Sequence, residues 1–314
     1  MRAVWLAEFG GPEVLRPGEA PDPVPGPGQV LVEVAFVNIT FVETQFRATG
    51  QGPYRPELPM IPGNGVGGAI SAVGDGVDRG LLGRRVVTAT GGSGAYAERV
   101  VVDAAGVFGV PDGVELDEAV ALLADGRTAT GLIRKAALKP GDRVLVEAAA
   151  GGVGGLLVQL AKAEGAWVVG AAGGGRKLDV AREHGADQVV DYREAGWTDR
   201  VGEVDVVFDG VGGEIGAAAF ELIAPGGRML SYGLASGAWA DIADELARER
   251  KVTLLNGPLG SPEELREFAE SALAGAATGR LKPLIGQRFP LDRAADAHAA
   301  IETRAAVGKT LLVP

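Results

Sequence analysis

Ala148-Ala-Ala-Gly-Gly-Val-Gly-Gly155 joins a β-rich run, Val144-Leu-Val-Glu-Ala148, to a segment with a different period. There Val153, Leu156, Leu157, Leu160 and Ala161 recur at i, i+3, i+4, i+7 and i+8, which puts them on one face of a helix. A strand that passes into a helix through this many glycines can turn sharply. It can bring its backbone against a pyrophosphate and point a helix N-terminus at the anion. As a G-x-G-x-x-G fingerprint the string carries Ala149, Gly151 and Gly154 in the three slots. Gly151 and Gly152 allow the approach beside Val153, and Gly154 allows close helix–strand packing. Ala149 is tolerable if it keeps negative φ.

Outward from this point the chain alternates strand and helix. Trp167–Ala171, Gln188–Val190, Val204–Phe208, Arg228–Tyr232 and Val252–Leu255 read as strands, and Arg176–His184, Glu214–Ile223 and Ala240–Arg250 as helices. This is the pattern of a doubly wound parallel sheet. Before it, Val30–Phe36, Ile70–Val73, Arg85–Ala89 and Glu98–Val102 are short strands set off by Gly-rich turns, which points to a small β-rich domain. A helix over Glu118–Leu138 leads from one texture to the other. The tail adds a helix over Pro262–Ala274, with Ser261 as its cap and Glu264 three residues on. A strand at Gln287–Phe289, a helix at Asp292–Glu302 and a strand at Lys309–Val313 follow. A chain of 314 residues holds two domains on length alone.

Composition removes several functions. With no Cys there is no disulfide framework, thiolate nucleophile or Cys-ligated zinc, and two His, His184 and His298, cannot make a His-rich metal site. A net charge of −11 argues against binding to nucleic acid or anionic membrane. Any anionic ligand must be held by local cations and backbone N–H groups. The longest uncharged stretch, Leu58–Gly74, contains two prolines and five glycines and cannot form a spanning helix. Glu8 interrupts the N-terminal run before a signal-like apolar segment forms, so a cytoplasmic protein is expected.

The second strand of the α/β part decides which dinucleotide is expected. An NAD site places Asp or Glu there to bond the ribose 2′-hydroxyl. Here the strand runs out as Val168-Val-Gly-Ala-Ala-Gly-Gly-Gly175, and Arg176 and Lys177 follow. Two cations and no carboxylate suit a 2′-phosphate, so NADPH is the expected cofactor. His184, before Gly185, reads as a helix cap, and His298 as structural. Gly308-Lys-Thr310 resembles a P-loop ending but lacks the earlier glycine and a following helix.

Asp75-Gly-Val77, Gly94-Ala-Tyr-Ala-Glu98, Ala148–Gly154, Gln159-Leu-Ala-Lys162, Gly185-Ala-Asp187, Val189–Arg193, Phe208–Gly213, Pro225-Gly-Gly-Arg228 and Gly279-Arg-Leu-Lys-Pro283 together carry a resemblance. The chain resembles the zinc-free quinone oxidoreductase (zeta-crystallin-like) branch of the medium-chain dehydrogenase/reductase superfamily over nearly its whole length. The resemblance implies a GroES-like β domain from residues 1–120 and 279–314, a Rossmann NADP-binding domain over 121–278, and an active cleft at their junction. It places Thr40 in the slot of a zinc-binding Cys and Gly63-Asn64-Gly65 in the slot of a Gly-His-Glu motif, so no metal is expected. Lys177 and Tyr192 match positions that contact the adenosine 2′-phosphate, with Arg176 near. Gly174 stands where many relatives carry Ser or Thr. Thr128 matches a residue near the nicotinamide, and Gly233 and Leu234 belong to the segment expected beneath it. Thr40 and Tyr54 are the candidates for bonding the acceptor oxygen. The resemblance also implies a homodimer through the last Rossmann strand, Val252–Leu255.

Lacking a metal, a thiolate and a plain acid–base pair, such a protein works by placement, and the cofactor carries the hydride chemistry. Three functions follow. The first is an NADPH-dependent quinone reductase, turning over a small-molecule electron acceptor. The second is an enone or alkenal reductase that acts on a carbon–carbon double bond. The third is an NADPH-binding sensor or structural protein without turnover. Product analysis with an alkenal separates the first two, and cofactor binding without any turnover identifies the third.

Overall fold

β-branched residues at alternate positions build the first part of the chain. The computed structural model describes residues 1–54 and 57–314. It opens with the antiparallel pair β1 (Arg2–Leu6) and β2 (Leu15–Glu19), followed by β3 (Gln29–Asn38). Along β3, Val30, Val32 and Val34 are buried while Glu33 faces water, the period-2 pattern of a half-buried strand. An irregularity in its pairing between Val34 and Phe36 shifts the phase, so Val37 is buried as well. Helix α1 (Phe41–Thr49) comes next, an element missing from the β-rich expectation for this region. Then follow β4 (Gly65–Val73), β5 (Arg85–Ala89), β6 (Arg99–Asp103) and β7 (Val107–Gly109).

Helix α2 (Leu116–Ala136) carries the chain into the α/β part. That part contains β8 (Arg143–Glu147), α3 (Gly152–Ala163), β9 (Trp167–Ala172), α4 (Gly175–Glu183), β10 (Gln188–Asp191), α5 (Trp197–Val201), β11 (Val204–Asp209), α6 (Gly213–Phe220), β12 (Ile223–Ser231), α7 (Asp244–Glu249), β13 (Thr253–Leu254) and α8 (Pro262–Ala277). The chain returns through β14 (Ile285–Pro290), α9 (Ala294–Glu302) and β15 (Lys309–Val313). Two units result, Met1–Ala124 with Ala272–Pro314, and Asp125–Ser271.

In the first unit the main sheet runs β14-β15-β3-β4-β5-β7, with β6 on β3. Its core gathers Val4, Leu6, Val30, Val32, Phe46, Ile70 and Tyr96, closed by Leu291 and Ala297 from the returning tail. In the second unit every pairing is parallel, in the order β10-β9-β8-β11-β12-β13. Helices cover it, so the middles of the central strands are continuous apolar runs. Val144, Leu145 and Val146 are all fully buried.

Three elements are shorter than expected. The helix foreseen over Glu214–Ile223 ends at Phe220, because Ile223 is drawn into β12 opposite Val204. The helix foreseen over Ala240–Arg250 contracts to α7, which starts where Asp244 and Glu245 can favour the positive end of its dipole. The last strand keeps only Thr253 and Leu254. Conversely, β12 begins five residues earlier than read, and α8 continues to Ala277.

Candidate functional site

The turn after β8 is built as the glycine spacing demands. Gly151 caps α3 in extended conformation, its N–H donating to the Ala148 carbonyl at 2.8 Å. A Cβ on Gly154 would collide with that same carbonyl, so only glycine lets α3 pack this closely against the strand end. Ala149 stays out of the left-handed region. Ala148, one residue earlier, adopts it instead with φ 49°. Gly152 and Val153 form the first turn of α3. His184 is the C-cap of α4 and lies 3.3 Å from Gln159 Nε2, a structural placement.

At the next turn Gly174 caps α4 with φ 96° and no side-chain bond to the helix. Arg176 is exposed and Lys177 half-buried in the first helical turn. Tyr192 comes to this turn from the end of β10, its Cε2 3.2 Å from where a Cβ on Gly173 would sit. The structure therefore brings Gly174, Lys177 and Tyr192 together. It also brings a carboxylate that the strand-end sequence does not reveal. Asp191, the last residue of β10 and buried, accepts bonds from Gly174 N (2.9 Å), Arg193 N (3.0 Å), Arg193 Nε (3.0 Å) and Arg193 Nη2 (2.8 Å). Those bonds, the Arg193 side chain first, hold its pKa down to about 2.

Glu147 ends β8 and Asp209 ends β11, and both are fully buried. Their carboxyl groups converge on one donor, the Val211 N–H, at 3.3 and 3.0 Å. Asp209 also accepts from Gly212 N (2.6 Å) and the Ser231 hydroxyl (2.9 Å). Burial, then the charge of Asp209, push Glu147 well above the ordinary carboxylate range. Burial and the neighbouring Asp209 carboxylate thus both favour the neutral form of Glu147. The segment expected beneath the nicotinamide is fastened to the same place. Tyr232 Oη donates to the Glu147 carbonyl at 3.0 Å, and a Cβ on Gly233 would lie 2.7 Å from the Gly210 carbonyl oxygen. Leu234 is half-buried beside it. Ser231, Met229, Trp239 and Leu254 line a cavity of about 230 Å³. Thr128 stands half-buried on α2 and takes part in none of these contacts.

In the β-rich unit, Thr40 is the N-cap of α1. Its N–H and hydroxyl both donate to Glu43 Oε2, at 2.7 and 2.8 Å, while Asn64 N donates to Glu43 Oε1 at 3.1 Å. Burial raises the pKa of Glu43, opposed by the Thr40 bonds and by the nearby charge of Lys309. Thus the two slots that hold zinc ligands in metal-dependent relatives, Thr40 and Asn64, are tied to one carboxyl group and offer no thiolate or imidazole. The residues do not fit a catalytic zinc. Among the described residues no group of three or more His, Asp or Glu is arranged to hold a metal. Tyr54 packs edge-on against Phe46 of α1 (5.3 Å, 89°) and lines a cavity of about 700 Å³ with Trp5, Glu57, Met60, Ile61 and Ser93. Thr40 is not in that lining.

Glu43 was legible in principle, since Thr40-Phe-Val-Glu43 has the spacing of a capping box. Glu147 and Asp209 were not. Glu147 sits in a strand read only for its apolar neighbours, and Asp209 lies one residue beyond the strand read over Val204–Phe208.

Comparison with known proteins follows the same division. Residues 26–112 match the alcohol dehydrogenase GroES-like domain, and residues 184–312 match a family described as zinc-binding dehydrogenase. The chain is 34% identical to a quinone oxidoreductase of Pseudomonas aeruginosa, covering 100% of this chain and 99% of that protein. It is 34% identical to the human quinone oxidoreductase, with 100% and 98% covered. Among solved structures it is similar to Escherichia coli quinone oxidoreductase complexed with NADPH, with a TM-score of 0.91, 32% identity and both chains fully covered.

Proposed function

We propose a function from one premise: the chain belongs to the quinone oxidoreductase family of the medium-chain dehydrogenase/reductase superfamily. It is an NADPH-dependent oxidoreductase that reduces a quinone-type small molecule. The observation that carries this is the likeness along the full chain to quinone oxidoreductases, one of them solved with NADPH.

The residues of the α/β unit fit that cofactor. Gly151, Gly152, Val153 and Gly154 would hold the pyrophosphate, and Gly174, Arg176, Lys177 and Tyr192 the 2′-phosphate end. Thr128, Gly233 and Leu234 would flank the nicotinamide. When bound, NADPH supplies the hydride. The chain supplies placement. The absence of a Cβ at Gly154 lets α3 start directly against the end of β8, and the Glu147 and Asp209 carboxyl groups, which share the Val211 N–H, tie the ends of β8 and β11 together. On the acceptor side Thr40 and Tyr54 are the proposed hydrogen-bonding groups. The Thr40 hydroxyl is oriented by its bond to Glu43 Oε2, a carboxyl group whose pKa burial raises. A quinone needs no Lewis acid to accept hydride, in keeping with zinc slots that cannot ligate.

Purified protein should oxidise NADPH steadily once a simple quinone is added, followed by the loss of nicotinamide absorbance, and a chelator should leave the rate unchanged. No turnover over a panel of quinones would remove this function. Reduction confined to the double bond of an alkenal would move the substrate class instead.

We further propose a homodimer formed along the edge strand β13, supported by half-buried Leu254 on that strand and exposed Trp239 and Leu246 near it in sequence. Its work is placed in the cytoplasm, where NADPH is supplied. Among the described residues no helix is long and apolar enough to cross a membrane.

A further inference from the structure

Gly173 and Gly174 leave an opening that a neighbouring side chain fills. A Cβ on Gly174 would lie 2.8 Å from Arg193 Nη2, and one on Gly173 would lie 3.1 Å from Arg193 Cδ. The Arg193 side chain therefore packs over the two glycines, its Cδ and Nε by Gly173 and its guanidinium by Gly174. Asp191 keeps it there through a two-pronged pair (Nε and Nη2), and the same carboxylate takes the Gly174 N–H, fixing the turn and the cation as one unit. Arg193 Nη1 has no partner among the described residues, and the side chain is 62% exposed. The one further acid near it, Glu194, is engaged by Arg200 at 2.6 Å.

Two consequences follow from this arrangement. First, a carboxylate this close to an adenosine 2′ position would ordinarily repel a phosphate. Asp191 does not, because all of its four bonds are made inward and its charge is matched by Arg193. Second, where many relatives carry a hydroxyl at position 174, the space beside Gly174 is taken by the end of the Arg193 side chain. The donor at that spot is a guanidinium instead.

We propose that Arg193 is a specificity-determining residue of this enzyme, pinned by Asp191 over Gly173–Gly174 so that its outer N–H groups bind the 2′-phosphate of NADPH in place of the hydroxyl that Gly174 lacks. The proposal rests on the NADPH function above. It adds a cation that the strand-end sequence did not point to, and it turns an acid that looks hostile to NADPH into the holder of that cation.

The test is calorimetric titration of the full chain and its Arg193→Gln form with NADPH, NADH and adenosine 2′,5′-bisphosphate, a probe that carries the phosphate without the nicotinamide. Arg193→Gln should raise Kd for NADPH and for the bisphosphate at least tenfold and leave Kd for NADH within twofold. Arg193→Lys, which keeps the charge but loses the fork, should fall between. Unchanged NADPH binding in Arg193→Gln would overturn the proposal. So would an equal loss for NADPH and NADH, which would mark Arg193 as merely structural. If the unaltered chain does not favour NADPH over NADH, the cofactor assignment itself fails, before Arg193 is in question.

Discussion

Tyr96 Oη and His298 Nε2 lie 2.7 Å apart, with both side chains out of water. In this dry site, beside the charge of Arg47, the neutral imidazole is the favoured form. Burial first, then the charge of Arg47, push the His298 pKa down to about 3, against an ordinary value of about 6.5. The sign of the linkage follows. Below the ordinary value the unfolded chain takes up a proton that the folded chain refuses. Folding stability is therefore fully present above about pH 6.5 and lost as pH falls toward 3, by an amount on the order of 4 kcal/mol. Chemical denaturation at pH 4.5, within the region of loss, and at pH 7, just above it, should show this loss in the natural chain and a flatter profile in His298→Gln. Identical pH profiles would refute it. Tyr96→Phe, which strips the ring nitrogen of its partner in a dry site, should cost about 1–3 kcal/mol at pH 7.

At the scale of elements, β8 and β11 lie side by side with Val144 opposite Val206, and they end in Glu147 and Asp209. Two buried carboxyl groups that accept from the same Val211 N–H couple the turns that leave both strands. Because the folded pKa of Glu147 is raised, its contribution is complete below the unfolded value of about 4.3 and lost as pH rises through the folded one. Glu147→Gln keeps a neutral donor of the same shape. It should remove that alkaline loss and cost less than about 1.5 kcal/mol at pH 6, read from denaturation midpoints at pH 6 and 9. Asp209→Ala should cost more than about 3 kcal/mol, since the N–H groups of Val211 and Gly212 and the Ser231 hydroxyl would all lose their acceptor. A Gln variant that follows the natural chain across the whole range would show that Glu147 is not protonated. These same elements mark what the sequence discloses. The alternation of β8, α3, β9, α4 and β10 was readable because each strand is an apolar run and α3 repeats at helical spacing. Helix α1 was not read, although Thr40 and Glu43 cap it, because its apolar residues are few. The end of α6 was misplaced because Ile223 serves a strand as readily as a helix. The pairings of Glu147 with Asp209 and of Gly174 with Asp191 join residues 62 and 17 positions apart, and no local pattern announces them.

For the whole molecule the decisive feature is an edge that the parallel sheet leaves open. β13 is the last strand in the order and has a neighbour, β12, on one side only. Its outer N–H and carbonyl groups are a template for another strand, and natural proteins cover or charge such edges. Here Leu254 on the edge strand is half-buried, beside the cavity that Trp239 lines, and Trp239 itself is 51% exposed. No charged side chain occurs between Val252 and Gly260, so nothing in that stretch repels a partner. A second copy meeting β13 across a two-fold would continue the sheet and cover Trp239 at once, with the same patch used on both sides. Light scattering on the purified chain should then give twice 32.0 kDa at micromolar concentration. Leu254→Lys, which sets like charges against each other across the axis, should shift the mass to that of one chain and shift the tryptophan emission to the red as Trp239 becomes solvated, with the far-ultraviolet dichroism unchanged. A single-chain mass for the natural protein would refute the dimer, and a Leu254→Lys form that stays paired would place the contact on another surface.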